Sequence, residues 1–182
     1  LNKPKLKPLN PFFSSGPCSK RPGWSPYFLS KAALGRSHRS IDALNRINMV
    51  LNISRDLLNI PPNYKIALVP ASDTGAVEMA LWSLLGPKPI DVLAWESFGK
   101  EWVNDIINQL KISNVRSLTS DYGYLPDLNI VDFNKDVVFT WNGTTSGVCV
   151  QNGDWIKKNR KGLTICDATS AIFSMELPWD KL

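Results

Sequence analysis

Segments that read as strands, at residues 65–69, 90–95, 115–118 and 137–141, and a further one opening at Leu163, alternate with stretches of helical period. That alternation restricts the chain more than any other feature. A βαβα order cannot form an antiparallel sandwich, and it predicts an α/β fold with a mainly parallel sheet and helices on both faces. Ser40 is placed to cap a helix in which Ile41, Leu44, Ile47, Leu51 and Leu58 recur near helical spacing, a stripe expected in the core. Residues 74–85 read as an amphipathic helix stopped by Gly86 and Pro87, residues 98–110 as another, and a last one is expected near Trp155.

Composition narrows the function classes. The 182 residues are 43% hydrophobic, enough for one domain with a substantial core. No apolar run approaches the roughly 20 residues of a membrane span, and the opening Lys3-Pro4-Lys5 suits neither a secretory nor a transit segment, so a soluble cytoplasmic protein with no membrane partner is expected. The net charge of +5 is densest at Lys157, Lys158, Arg160 and Lys161. Only Trp155 adjoins that cluster, which reads as a solvated helix end; no nucleic-acid partner is expected. One histidine, His38, excludes a multi-histidine metal site. Cys18, Cys149 and Cys166 are odd in number and lack CxxC spacing, so buried thiols are expected, with no disulfide framework and no metal.

Three strand ends carry polar turns, and in an open parallel sheet ligands bind beyond the carboxyl ends of the strands. Pro70-Ala71-Ser72-Asp73-Thr74-Gly75 leads into a helix start, where free backbone N–H groups make an anion seat. Gly75 allows close approach, Ser72 and Thr74 offer hydroxyls, and the Asp73 side chain is expected to cap the helix. Trp141-Asn142-Gly143-Thr144-Thr145-Ser146-Gly147 follows a strand and reads either as a plain turn or as a loop that bonds a ligand's ring substituents. Asp167 closes Leu163-Thr164-Ile165-Cys166; it either caps the turn Ala168-Thr169-Ser170-Ala171 or faces a fixed cation such as a protonated pyridine nitrogen.

These segments, in this order, resemble class V of the fold-type I pyridoxal-phosphate-dependent aminotransferases, and within it the phosphoserine aminotransferase family. Phe13-Ser14-Ser15-Gly16-Pro17-Cys18, Leu34-Gly35-Arg36-Ser37-His38-Arg39-Ser40 and Glu78-Met79-Ala80-Leu81-Trp82-Ser83-Leu84-Leu85-Gly86 carry the likeness. The resemblance implies pyridoxal 5'-phosphate as cofactor, with Asp73, Thr74 and Gly75 at its phosphate and Phe98 stacked on its ring. It places Thr144 beside the ring and Asp167 at the pyridine nitrogen, which the carboxylate would keep protonated. His38 and Arg39 would bind the substrate's acid or phosphate, a task suited to the planar guanidinium fork. The commoner form of the family has arginine at the position of Thr74 and tryptophan at that of Phe98, whereas Asp73-Thr74-Gly75 matches a recognised variant.

The implied reaction moves an amino group from L-glutamate to 3-phosphohydroxypyruvate, giving O-phospho-L-serine and 2-oxoglutarate, in a homodimer; a phosphorylated hydroxythreonine is a second implied substrate. The family's Schiff-base lysine lies beyond the Asp-containing strand and would fall past Leu182, so the chain reads as the N-terminal part of a longer protein. Residues 1–40 are expected to be an extended segment carrying the substrate element, and residues 41–182 part of the cofactor-binding large domain. The alternatives are another class V enzyme, such as an alanine:glyoxylate aminotransferase, and a non-catalytic phosphate-binding module.

Overall fold

The computed structural model describes residues 5–7, 9 and 20–182, so Cys18 and the run 13–18 lie outside the described residues. The chain divides into two compact units, Leu1–Asn48 and Met49–Leu182.

In the first unit a 3-10 turn spans Pro26–Lys31. Ser25 opens it by accepting the Tyr27 N–H at 3.3 Å, with Pro26 at the first position, where its missing N–H costs nothing. Helix α1 (Ile41–Leu57) begins here and continues into the second unit. Ser40 caps it as expected, its Oγ accepting the Ala43 N–H at 3.3 Å. The stripe is not core, however. Ile41 is 77% exposed, Leu44 and Ile47 are also exposed, and Leu51 and Leu58 are half-buried; Ala43 is the buried residue of α1. Helical period fixes which residues share a face, not how deeply that face is buried.

The second unit is built on four parallel strands in the order β2-β1-β3-β6: β1 (Ile90–Ala94), β2 (Val115–Thr119), β3 (Asp136–Thr140) and β6 (Thr164–Asp167). The registers set Ile90 beside Val115 and Asp136, and Thr140 beside Asp167. β1 and β3 are buried along their whole length, as parallel strands covered on both faces require. Alternate side chains feed two cores. Ile90, Val92 and Val138 pack with Leu81 of α2 (Asp73–Leu84) and with Trp102 and Ile106 of the helical segment that opens with α3 (Ser97–Asn104) and continues as a π-helical turn (Asp105–Gln109). Leu93, Trp95, Val137 and Phe139 face the opposite side, where Phe133, Val150, Ile156 and Ala171 cover them. Burying each large side chain of this kind stabilises by about 1.5–3 kcal/mol.

Two expected elements are absent. Residues 65–69 form no strand, and Leu68 and Val69 are exposed; the run has strand composition but no ladder partner among the described residues. The segment around Trp155 is a series of turns. There the Asn152 side chain accepts the Asp154 N–H at 3.0 Å, a local bond that competes with helix, while Trp155 anchors on Phe133 and Phe139 with ring centroids 5.6 and 5.0 Å away. The neighbouring basic cluster therefore sits on a turn, with Lys158 paired to Asp180 at 3.0 Å. A short antiparallel pair, β4 (Asn142–Gly143) and β5 (Val148–Cys149), closes the loop after β3. Among the described residues no helix is long and apolar enough to cross a membrane.

Candidate functional site

The chain order reverses at β1, which has β2 on one side and β3 on the other, so loops leaving the two C-terminal ends diverge there and open a crevice. A cleft of about 140 Å³ lies there, lined by Asp73, Phe98, Trp102, Thr140, Asn142, Thr144, Asp167, Thr169 and Ser170. Four residues expected at one ligand from four separate segments, Asp73, Phe98, Thr144 and Asp167, thus share one wall system. Thr74 and Gly75 stand next to Asp73 in the first turn of α2 but do not line the cleft.

At the α2 end, Ser72 and not Asp73 is the cap: its Oγ accepts the Gly75 N–H at 3.4 Å and its carbonyl accepts the Ala76 N–H at 3.0 Å. Serine at this position satisfies the donors that an aspartate one residue later cannot reach. The Asp73 and Thr74 N–H groups, first in the helix, have no intrahelical acceptor and face the dipole's positive end. Ala71 turns the chain into this cap with φ of 76°, a left-handed conformation strained for a residue with a Cβ.

Asp167 ends β6 with both oxygens engaged. Oδ1 accepts the Thr169 N–H at 3.1 Å and the Thr169 hydroxyl at 2.7 Å, and Oδ2 accepts the Trp102 indole N–H at 3.1 Å. The side chain caps its turn and also lines the cleft. Opposite it, the Thr144 hydroxyl donates to Ser170 Oγ at 2.8 Å and Asn142 Nδ2 donates to the same atom at 2.9 Å. Thr140, next to Asp167 in register, is 2% exposed, and its Oγ1 has no partner among the described residues.

A buried carboxylate joins two walls. Glu96 is fully buried; Oε1 accepts the Gly99 N–H at 2.7 Å and caps α3, while Oε2 accepts the Thr145 hydroxyl at 3.0 Å and its N–H at 3.4 Å. Thr145 Oγ1 also meets the Ser97 hydroxyl at 3.1 Å and the Tyr122 hydroxyl at 3.2 Å. The helix that carries Phe98 and Trp102 is thereby tied to the loop that carries Thr144. Gly143 is required where this loop crosses: a Cβ there would meet Trp95 Nε1 at 2.5 Å and Glu96 Cγ at 2.7 Å.

Cys166, one residue before Asp167, has its thiol pushed well above the usual range by burial and then by the neighbouring Asp167 charge, and burial also raises Cys149. Both thiols stay protonated and neither is a nucleophile near neutral pH. His38 and Arg39 are exposed residues of the first unit. Trp102 and Glu96 were not anticipated from sequence. The four-residue step from Phe98 to Trp102, which puts both rings on one helix face, was the available signal for the first.

Comparison with known proteins adds lineage to this geometry. No protein-family profile matches the chain. Two curated proteins named phosphoserine aminotransferase match it over 180 residues, that of Methanosarcina mazei at 56% identity and that of Methanosarcina barkeri at 57%, each over 99% of this chain and 49% of the relative. Over that span the chain is similar to phosphoserine aminotransferases. It covers about half the length of these relatives. Among solved structures, the phosphoserine aminotransferase of Cytophaga hutchinsonii superposes with a TM-score of 0.66 at 22% identity, over 81% of this chain and 41% of that one. The ureidoglycine-glyoxylate aminotransferase of Bacillus subtilis superposes with a TM-score of 0.70 at 18% identity, over 86% and 42%. At those identities the two structures establish the fold alone, an α/β fold with a mainly parallel sheet.

Proposed function

We propose that this chain builds the cofactor-binding part of a pyridoxal-phosphate-dependent phosphoserine aminotransferase, which transfers an amino group from L-glutamate to 3-phosphohydroxypyruvate in serine biosynthesis, as a cytoplasmic homodimer. The observation that carries the reading is the convergence of Asp73, Phe98, Thr144 and Asp167 on one cleft at the switch point of the sheet. The residues present fit a flat cationic heterocycle bearing a phosphate. Two free N–H groups at the α2 start, at Asp73 and Thr74, would hold the phosphate with Gly75 allowing close approach. Phe98 would cover a ring face, Thr144 would sit beside the ring and Asp167 would accept from its nitrogen. When bound, the cofactor supplies an electron sink for the amino acid's α-carbon.

The chain's own residues bind and orient. Asp167, held by Trp102 and Thr169, keeps a proton at the ring nitrogen, and an opposite charge within hydrogen-bond reach favours that protonated form. Glu96 fixes the spacing between the Phe98 helix and the Thr144 loop. His38 and Arg39, on an element of residues 1–40 that falls within the first compact unit, bind the acid or phosphate of the substrate. Residues 41–182 make up part of the cofactor-binding large domain.

Absorbance and turnover of the full-length protein test this. A visible band on adding pyridoxal phosphate, with amino transfer to 3-phosphohydroxypyruvate far faster than to the unphosphorylated analogue, is expected. A folded protein that gains no band sinks the cofactor assignment. Equal rates on the two oxo acids sink the phosphorylated substrate and leave the cofactor standing.

A further inference from the structure

We propose that Trp102 is a positioning residue that sets the Asp167 carboxylate to receive a protonated ring nitrogen, an inference that rests on the pyridoxal phosphate reading of the cleft. The indole lines the cleft yet is only 3% exposed, packed in one cluster with Leu81, Val92 and Ile106, so packing fixes where its N–H points. An indole nitrogen only donates. Its single donor goes to Asp167 Oδ2 at 3.1 Å, while both donors of Thr169 go to Oδ1 at 3.1 and 2.7 Å.

An ionised carboxylate offers about four lone-pair sites. Three are filled in this way, and the one that remains is on Oδ2, the oxygen that Trp102 holds. With Thr169 alone, one oxygen would be anchored and the group could swing about it. With the indole on the second oxygen, the carboxylate plane is fixed before a ligand arrives, and an acceptor ordered in advance spends less of its binding energy on ordering. Trp102 is also four residues from Phe98 on the same helical face, so the residue that orients the acid and the ring that covers the ligand move as one unit on α3. Glu96, capping that helix, anchors the unit to the Thr144 loop.

A core tryptophan whose N–H merely found the nearest acceptor would affect every ligand of the cleft alike; a positioning residue affects only ligands that carry the ring nitrogen. The experiment compares dissociation constants of pyridoxal 5'-phosphate and its 1-deaza analogue, in which a carbon replaces that nitrogen, for the full-length protein. Trp102→Phe is expected to weaken pyridoxal phosphate about 10-fold, the worth of one hydrogen bond to a charged group, and to leave the deaza analogue within about 2-fold. Trp102→benzothienylalanine, which keeps the bicyclic shape and lacks only the N–H, should reproduce both values even where the phenylalanine variant fails to fold. Equal losses for the two ligands, or no loss for either, overturn the positioning role. A wild-type protein that binds the deaza analogue as tightly as pyridoxal phosphate overturns the placement of Asp167 at the ring nitrogen, and this inference with it.

Discussion

Asp91 is the second residue of β1 and has no exposed surface, in a strand whose other members are all apolar. Its carboxylate takes Arg116 Nε at 2.9 Å and Nη2, Lys135 Nζ at 3.0 Å and the Asp132 N–H at 3.0 Å, tying β1 to β2 and to the entry of β3. Burial pushes its pKa up, but the bonds from Arg116, Asp132 and Lys135 outweigh burial and hold it below the usual carboxylate value, while the same pairing raises Arg116. A depressed folded pKa means stability that is complete above the unfolded value of about 3.9 and is lost as pH falls through the folded value. Asp91→Asn preserves volume and turns an amide NH₂ toward cationic donors. Removing one partner of a buried pair costs about 3–5 kcal/mol; the Arg116 and Lys135 side chains are 41% and 25% exposed, so water takes up part of their charge and the lower end applies. About 3 kcal/mol corresponds to a fall of roughly 6–12 °C in Tm for a chain of this size. Urea and thermal unfolding at pH 7 and at pH 3 measure it: the gap between wild type and variant should be full at pH 7 and narrow on acidification. A gap that is absent at pH 7, or unchanged between the two pH values, refutes the reasoning.

Three further outcomes are expected. Glu96→Gln and Thr145→Val each remove the tie between the α3 cap and the Thr144 loop, so in urea unfolding the double variant should lose about as much as one single variant, with a coupling of about 1–2 kcal/mol; additive losses would contradict the tie. Ala71→Gly relieves the left-handed strain at φ 76° and loosens the unfolded chain, a net gain of about 0.5–1 kcal/mol in the same assay, whereas a loss would show that the turn is unstrained. Thr140→Val deletes a buried hydroxyl that has no partner among the described residues and should raise stability by about 1 kcal/mol; a drop would mean that the hydroxyl has a partner.

Much of the fold was legible because burial and periodicity point the same way in the central strands. Residues 90–95 and 137–141 are apolar but for Asp91 and Thr140, and Ile90–Ala94 and Asp136–Thr140 are buried throughout. Residues 65–69 have the same composition, yet a strand exists only through a ladder, and pairing is a non-local property that no window of five residues contains. The α1 stripe misled for a related reason: spacing reports that Ile41, Leu44 and Ile47 share a face, but not whether anything packs on it. Around Trp155 one large aromatic was given the weight of a helix, and the local bond from Asn152 to the next turn decided otherwise.

The lining of the cleft was legible in part, since Asp73, Phe98, Thr144 and Asp167, expected at one ligand, all line it. It was illegible where the role is to hold another residue. Trp102 matters through Asp167, 65 positions away, and Glu96 through Thr145, 49 away, so neither contact leaves a local pattern. Yet these supports decide whether the visible residues have a defined geometry: Asp167 without the indole has one oxygen anchored, and Thr144 without the Glu96 tie rests on Ser170 and on the short β4–β5 pair. Both supports converge on α3, whose cap is Glu96 and whose inner face carries Phe98 and Trp102. A perturbation at the α3 cap should therefore shift the ring wall, the acid and the Thr144 loop together, whereas one at the α2 cap should reach only the anion seat.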